Sequence, residues 1–254
     1  MARPPALRNR PEHARDLVRV CGLEAVRALF ARDPGRVERL LFEPGLAAAL
    51  AEGCRVLARA RKPYREVVPA ELARIAGTPL HGGAVAVARP QPIADLDARQ
   101  AAEWARDGKP LLILDGIGNP HNLGAIARSA AFFGIERLVL AARPQQALPS
   151  DASYRVAEGG LEHLTLYRAT LTTALPALRP AYRILGAAAE RGRPPPRPGT
   201  RPPALILGNE ESGLDPATLV LCDEIVTIPG SGRVQSLNVA AAAAVLLFAL
   251  CRQG

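Results

Sequence analysis

The sequence predicts an α/β fold, with a carboxyl-terminal parallel-sheet domain covered by helices on both faces and a small α/β domain before it. Short apolar runs of strand length alternate with stretches of helical spacing, the pattern of a sheet buried on both sides. Three of these runs lead into Gly-containing polar loops, each followed by an apolar helix-like run. The chain has 254 residues, 48% of them hydrophobic, enough to build cores for both domains.

Taken in order, residues 1–15 are Arg- and Pro-rich and predict a flexible basic tail. Between 16 and 90 the pattern is that of a compact α/β unit. Helical spacing through Leu23, Val26, Leu29 and Phe30 is followed by a strand at Val37–Phe42 and a helix over Leu46–Leu57. A short strand at Val67-Val68, a helix over Pro69–Ile75 and a strand at Ala84–Ala88 complete it. Residues 91–108 read as a linker with one helix around Ala98–Arg106. The domain from 109 to 254 opens on a strand at Pro110–Leu114, then a helix over Leu123–Phe133 stopped by Gly134, then a strand at Arg137–Ala141. Leu164–Tyr167, Tyr182–Ala187, Ala204–Leu207 and Ile225–Ile228 are further strands. The prolines of Arg191–Pro203 predict an extended, unstructured loop, whose four arginines serve either as a phosphate grip or as a solvated surface. Val239–Cys251 is apolar on nearly all sides and predicts a deeply buried terminal helix, too short to span a bilayer.

The net charge of +8 and a pI near 10.0 suit a polyanionic partner such as RNA. The same charge fits a coding bias, because nearly every basic residue is Arg, with only Lys62 and Lys109 as lysines. Cys21, Cys54, Cys222 and Cys251 are scattered, without Cys-x-x-Cys or His at ligand spacing. That pattern predicts a reducing, cytoplasmic setting with no metal site. The amino terminus lacks the apolar stretch of a signal peptide.

The polar loops are Asn119-Pro-His-Asn-Leu-Gly-Ala-Ile-Ala-Arg-Ser129, Leu207-Gly-Asn-Glu-Glu-Ser-Gly-Leu214 and Ile228-Pro-Gly-Ser-Gly-Arg-Val-Gln-Ser-Leu-Asn-Val239. Loops at the carboxyl ends of parallel strands suit ligand binding, because backbone groups are exposed and glycines permit close approach. Asn122 is a candidate N-cap for the helix after the first loop, and Ser236 for a helix beginning at Leu237, with Asn238 in its first turn. Arg128 lies six residues after Asn122, on another helical face. Taken singly, each of these is equally a cap, a polar turn or a surface ion pair. Gly116-Ile-Gly118 and Gly230-Ser-Gly232 begin a dinucleotide-binding pattern, but His121 and Gln235 occupy its third Gly position, so both fail.

Together and in this order, the three loops resemble the motifs of the SpoU (TrmH-type) RNA ribose 2′-O-methyltransferases of the SPOUT superfamily, closest to the YfiF-like branch. The resemblance implies a trefoil knot in the carboxyl-terminal domain and S-adenosylmethionine as cofactor, bound by Leu207, Gly208, Asn209, Ile228, Pro229, Leu237 and Asn238. It assigns Arg128, Asn122, Glu210, Ser236 and Asn238 to the catalytic machinery, with structured RNA (rRNA or tRNA) as substrate and a homodimer as the working unit. The first domain is similar to the small ribosomal-protein-like domain that binds substrate in many members, on Arg19–Val26 and His81-Gly-Gly83. His81 fits either an RNA contact or an exposed loop.

Two positions depart from the family pattern. Gly230 stands where Met is usual and Ala240 where Ser is usual. They motivate an alternative, a non-catalytic RNA-binding or assembly factor that retains the scaffold. Family accounts give the Arg the role of base, yet a guanidinium stays protonated. Electrostatic stabilisation of a developing alkoxide by Arg128 is the physically consistent role.

Overall fold

The computed structural model describes residues 17–196 and 199–251, and the expected tail at 1–15 falls outside them. Two sheets organise the chain. The first has four strands in the order β1 (Val18–Cys21), β4 (Ala84–Ala88), β2 (Val37–Phe42) and β3 (Tyr64–Glu66). The Ala-Val-Ala-Val-Ala of β4 is buried throughout, as a central strand requires. Successive side chains point to opposite faces. Ala84, Ala86 and Ala88 join the core under α1 (Leu23–Arg32) and α2 (Ala51–Arg59), while Val85 and Val87 meet Leu72 and Ala76 of α3 (Pro69–Ala76). Gly77, at φ 69°, ends α3 in the left-handed conformation that Gly adopts without penalty.

Several expectations for this domain need correction. β1 was not foreseen as a strand. α2 starts later than Leu46, because Pro44–Leu46 forms a 3-10 turn that delays the helix to Ala51. The short strand lies at Tyr64–Glu66 rather than Val67-Val68. Val67 instead turns inward against Leu72, and Val68 opens α3.

The second sheet has seven parallel strands in the order β11-β9-β10-β6-β7-β8-β5. They are β5 (Ile93–Asp95), β6 (Leu111–Asp115), β7 (Arg137–Ala141), β8 (Thr165–Ala169), β9 (Arg183–Ala187), β10 (Pro203–Gly208) and β11 (Glu224–Val226). β5 and α4 (Ala98–Trp104) belong to the stretch expected as a linker. β5 pairs with β8 at the sheet edge, and Ala101 and Trp104 of α4 are buried against Leu175 of α7 (Leu171–Leu178). The stretch 91–108 is therefore structural, held by a strand too short and exposed to show period-two patterning.

On the other face lie α5 (Pro120–Phe132), α6 (Asp151–Ala157) and α9 (Val239–Cys251), and the short α8 (Pro216–Leu219) follows the second loop. α9 corrects the expectation of deep burial. Ala240, Ala243, Leu246, Leu247 and Leu250 are buried, but Val245 is 43% and Phe248 53% exposed. The Arg191–Pro203 loop is not wholly irregular either. Arg193 bridges β11 in parallel, its amide donating to Ile225 O and its carbonyl accepting from Thr227 N.

One continuous apolar core joins the domains, running from Val18, Val26 and Leu29 to Leu123, Ala157 and Leu161. A buried polar network crosses the same boundary. The Arg36 guanidinium donates to Glu162 (2.7 Å), Tyr154 Oη (3.0 Å) and Arg89 O (2.9 Å), and Gln91 N donates to Tyr154 Oη. Burial pushes the Glu162 carboxyl above its ordinary range, and Arg36 partly offsets that. At the rim, Asp151 at the start of α6 accepts from the Arg19 amide (2.7 Å) and pairs with its guanidinium.

Candidate active site

The chain order reverses between β6 and β10. β6 continues outward to β7 on one side, and β10 stands on the other beside β9. Open parallel sheets place ligand crevices beyond the carboxyl ends of their strands at such a point. The pairing of Gly208 with Asp115 sets the first and second loops side by side there.

In the first loop the helix cap is Asn119, not Asn122. Asn119 Oδ1 accepts from His121 N at 2.8 Å, and Pro120 occupies the first helical position, where a missing N–H costs nothing. That leaves the Asn122 side chain free to bridge. Its Nδ2 donates to Glu210 Oε1 (2.8 Å), and its Oδ1 accepts from Asn238 Nδ2 (3.1 Å).

In the second loop Asn209 folds the backbone on itself. Its amide and carbonyl exchange hydrogen bonds with Gly213, and its Oδ1 accepts from the Glu211 and Ser212 amides. Asn209 Nδ2 donates to Gly116 O (2.8 Å). A Cβ at Gly208 would lie 2.3 Å from Gly213 C, so only Gly permits this turn. Glu210 then reaches across to the first loop, accepting from Gly118 N and Asn119 N at 3.2 Å each. Burial works against its charge, but the bonds from Asn122 and these amides outweigh it and hold the carboxyl below its usual range.

In the third loop the cap of α9 is Asn238, whose Oδ1 accepts from Ala240 N at 2.9 Å. Ser236, expected to cap a helix from Leu237, is exposed three residues before the helix begins. Asn238 takes the role because its Nδ2 is anchored on Asn122, which aims Oδ1 at the helix.

The structure thus brings Asn122, Glu210 and Asn238 together. It does not bring Arg128 or Ser236 to them. Arg128 lies about 9 Å further along α5 by helical rise and is exposed, with Nη2 2.9 Å from Glu158 Oε2. Among the expected cofactor residues, Leu207 is buried, Ile228 half-buried, and Pro229 and Leu237 exposed. Among the described residues, no backbone–backbone hydrogen bond involves 228–237. Apart from Arg233 N, which donates to Ser231 Oγ (3.4 Å), its amides and carbonyls are open to the edge of a polar heterocycle such as adenine, so this segment fits the cofactor.

Several contributors went unnoticed in the sequence. Gln146 Oε1 accepts from Gly116 N (3.0 Å), and its Nε2 donates to Ile117 O (3.3 Å), fixing the first loop from behind. Buried Asp115 accepts from Asp215 N and is ion-paired with Arg143, which also pairs with Asp215. A cavity of about 660 Å³ opens between Gly116, Arg143, Thr170, Asn209, Ser212 and Asp215. Asn209 is the one expected cofactor residue that lines it, so this recess is separate from the third loop. Glu158 and Gly160 set the position of Arg128. Glu158 holds it by charge from a left-handed backbone at φ 45°, and a Cβ at Gly160 would lie 2.7 Å from Arg128 Cα. The Gly159-Gly160 pair was the available signal.

Chemically, Glu210 is an acceptor held by four N–H groups, from Gly118, Asn119, Asn122 and Asn209, which makes it a clamp rather than a base. Asn122 and Asn238 tie the clamp to both helices that open the site. Arg128 is held by a single exposed ion pair, of the kind worth about 0–1 kcal/mol, which ties its guanidinium down only weakly.

Comparison with known proteins agrees with this geometry. The profile of the SpoU rRNA Methylase family matches residues 109–248, and that of RNA 2′-O ribose methyltransferase substrate binding matches 19–94. The chain is 34% identical over 240 residues to "Uncharacterized tRNA/rRNA methyltransferase YfiF" of Escherichia coli O157:H7, covering 92% of this chain and 68% of that one. It is 32% identical over 247 residues to "23S rRNA (guanosine-2′-O-)-methyltransferase RlmB" of Yersinia pestis, covering 92% and 96%. Among solved structures, the SpoU methyltransferase AviRb of Streptomyces viridochromogenes, in complex with AdoMet, superposes with a TM-score of 0.68 at 28% identity, covering 96% and 92%. With its three loops gathered at the reversal point of a parallel sheet, and with both family profiles matched in order, the chain belongs to the SpoU rRNA methylase family.

Proposed function

We propose that this protein transfers a methyl group from S-adenosylmethionine to a ribose 2′-hydroxyl of structured RNA, rRNA or tRNA. The observation that carries the reading is the Glu210–Asn122–Asn238 network, which fastens all three loops into one site. The AdoMet complex of AviRb supports the cofactor, and the name of the Yersinia pestis relative supports the RNA ribose as acceptor. Bound S-adenosylmethionine supplies an electrophilic methyl group. The chain's task is positioning, the largest lever available for a displacement of this kind.

The backbone of 228–237, with Leu207, Gly208 and Asn209 opposite, holds the cofactor. Asn122, Glu210 and Asn238 set the loops. Arg128 leaves Glu158 to face the 2′-oxygen and stabilise it as its proton departs to water or to an RNA phosphate. Residues 16–90 serve as the RNA-binding domain and 109–254 as the methyltransferase domain, the latter knotted as in its family, and the protein works in the cytoplasm.

It works as a homodimer. Phe132, 83% exposed, stacks edge-on against Phe133 (5.2 Å between ring centroids), and Phe133 lies 6.3 Å from Phe248. With Val245 they form a contiguous apolar patch on α5 and α9 that suits a second copy.

Titration calorimetry with S-adenosylmethionine and S-adenosylhomocysteine tests the enzymatic reading. Binding in the micromolar range is expected. Absence of binding by either at millimolar concentration, with and without RNA, would contradict it and favour the non-catalytic alternative that Gly230 and Ala240 suggested.

A further inference from the structure

The first sheet is covered unevenly on one face. α3 has only eight residues and lies over the row Cys21, Val85 and Leu41, whose partners in register continue to Arg65 on the edge strand β3. The next row, Arg19, Val87 and Arg39, has the same facing, with Val87 packed against α3 and an arginine on either side of it. Arg39 stands beside the bulge at Glu38 and has no ion pair among the described residues. Between this row, the edge strand and α3 lies a groove of about 440 Å³, lined by Arg39, Leu41, Arg65, Glu71, Arg74 and Ile75. Glu71 is bonded to Arg65 and lies 3.9 Å from Arg74, so three guanidinium groups face one carboxylate. The groove carries a surplus of two positive charges over an apolar floor.

The row also leads somewhere. Arg19 is pinned to Asp151, at the start of the helix that follows the β7 loop. Within that loop Ala147 N donates to Ile117 O, in the first loop of the site. A chain of contacts therefore links the flank of the Asn122–Glu210 clamp, through Ala147 and Asp151, to Arg19 and the row that borders the groove.

We propose that this groove binds the sugar-phosphate backbone of the substrate RNA, with Arg39 and Arg74 each contacting a phosphate and Arg65 fixed by Glu71 as the wall between them. The inference rests on the RNA methyltransferase reading and assigns a specific surface to RNA capture. Contacts of this kind are independent of sequence and strongly dependent on salt.

The test compares wild-type protein with Arg39→Ala/Arg74→Ala, Arg39→Glu and a control, Arg99→Ala/Arg106→Ala, all checked for folding by circular dichroism. Affinity for deproteinised 23S rRNA is measured by filter binding across a KCl series, alongside methyl incorporation at varied RNA concentration. The groove double variant is expected to raise KM for RNA by about 10-fold or more with kcat preserved. It should lower the slope of log K against log salt by about 1.4–1.8, two phosphate contacts at ~0.7–0.9 each. Arg39→Glu should exceed the single-residue share of that effect, and the control should match wild type. Unchanged KM and slope in the groove variants, with active wild type, would overturn the proposal and leave an acidic protein surface as the groove's partner. Wild type that binds rRNA without methylating it would sink the methyltransferase reading, while the slopes still decide the groove. Wild type that binds no RNA would overturn both.

Discussion

Asn122 Nδ2 lies 2.8 Å from Glu210 Oε1, joining residues 88 positions apart beside the β6–β10 junction of the large parallel sheet, where the strand order reverses. Because each Glu210 oxygen accepts from one backbone amide and one side-chain amide, replacing one oxygen by NH2 leaves one of each facing a donor and without an acceptor. Glu210→Gln is expected to lower methyl transfer by about 10- to 100-fold through misplaced loops, the scale of rate loss that small displacements produce. Its effect should appear in kcat with RNA binding retained, and steady-state kinetics against rRNA checks this.

The same carboxylate predicts a pH dependence. Its folded pKa lies below the ordinary 4.5, so its stabilisation is complete above that value and disappears as pH falls through the lower folded one. Urea unfolding of wild type and Glu210→Gln should therefore differ by a constant amount at neutral pH and converge below about 4.5. A difference that grows on acidification would contradict the clamp.

The domain boundary gives a larger effect. Arg36 and Glu162 are both almost wholly buried, and leaving either charge alone costs about 3–5 kcal/mol. Glu162→Ala should destabilise the fold by that amount. Tyr154→Phe, which removes one acceptor for Arg36 and Gln91, should cost about 1–3 kcal/mol. Replacing the Arg36–Glu162 pair together by apolar residues should cost less than Glu162→Ala alone, and chemical denaturation measures all three.

Two glycines should respond in opposite ways. Gly208→Ala forces a Cβ to 2.3 Å from Gly213 C and is expected to cost about 1–3 kcal/mol or more and to disrupt the second loop. Gly230, which departs from the family pattern, has open space where its Cβ would be. Gly230→Met should leave the unfolding free energy unchanged within about 0.5 kcal/mol. Its effect on S-adenosylmethionine affinity, read by calorimetry, shows whether the missing side chain matters.

For assembly, light scattering at micromolar concentration should give twice the monomer mass. Phe132→Asp should shift it to one copy while leaving the far-ultraviolet circular dichroism intact. A wild-type monomer at that concentration would contradict the dimer.

Much of this was legible in the sequence, for identifiable reasons. The strands at Val37–Phe42, Ala84–Ala88 and Arg137–Ala141 appear with the bounds expected, because each carries a short run of Val, Leu or Ala next to a Gly or charged residue such as Gly83, Arg89, Glu43 or Glu136. β3 and β5, three residues each and on sheet edges, carry too little buried surface to leave a pattern. The caps went to Asn119 and Asn238 instead of Asn122 and Ser236, since cap choice depended on what else each side chain could reach. Asn122 was claimed by Glu210 and Asn238, contacts across 88 and 116 positions that no local window contains. α9 read as buried all round because composition does not say which apolar face a neighbour covers. Its outward face carries Val245 and Phe248.

The central claim is ribose methylation by this site with Arg128 as its electrostatic stabiliser. The direct measurement is transfer of labelled methyl from S-adenosylmethionine to rRNA lacking the modification, followed by nuclease digestion and mass spectrometry, with wild type and Arg128→Ala side by side. The account predicts label recovered as 2′-O-methylribose with wild type and a fall of about 100- to 1,000-fold in rate for Arg128→Ala, S-adenosylmethionine affinity being unchanged. Arg128→Lys should not restore activity, because a point charge does not reproduce the planar guanidinium. Label on a base, no incorporation by folded wild type, or near-normal turnover by folded Arg128→Ala would contradict it.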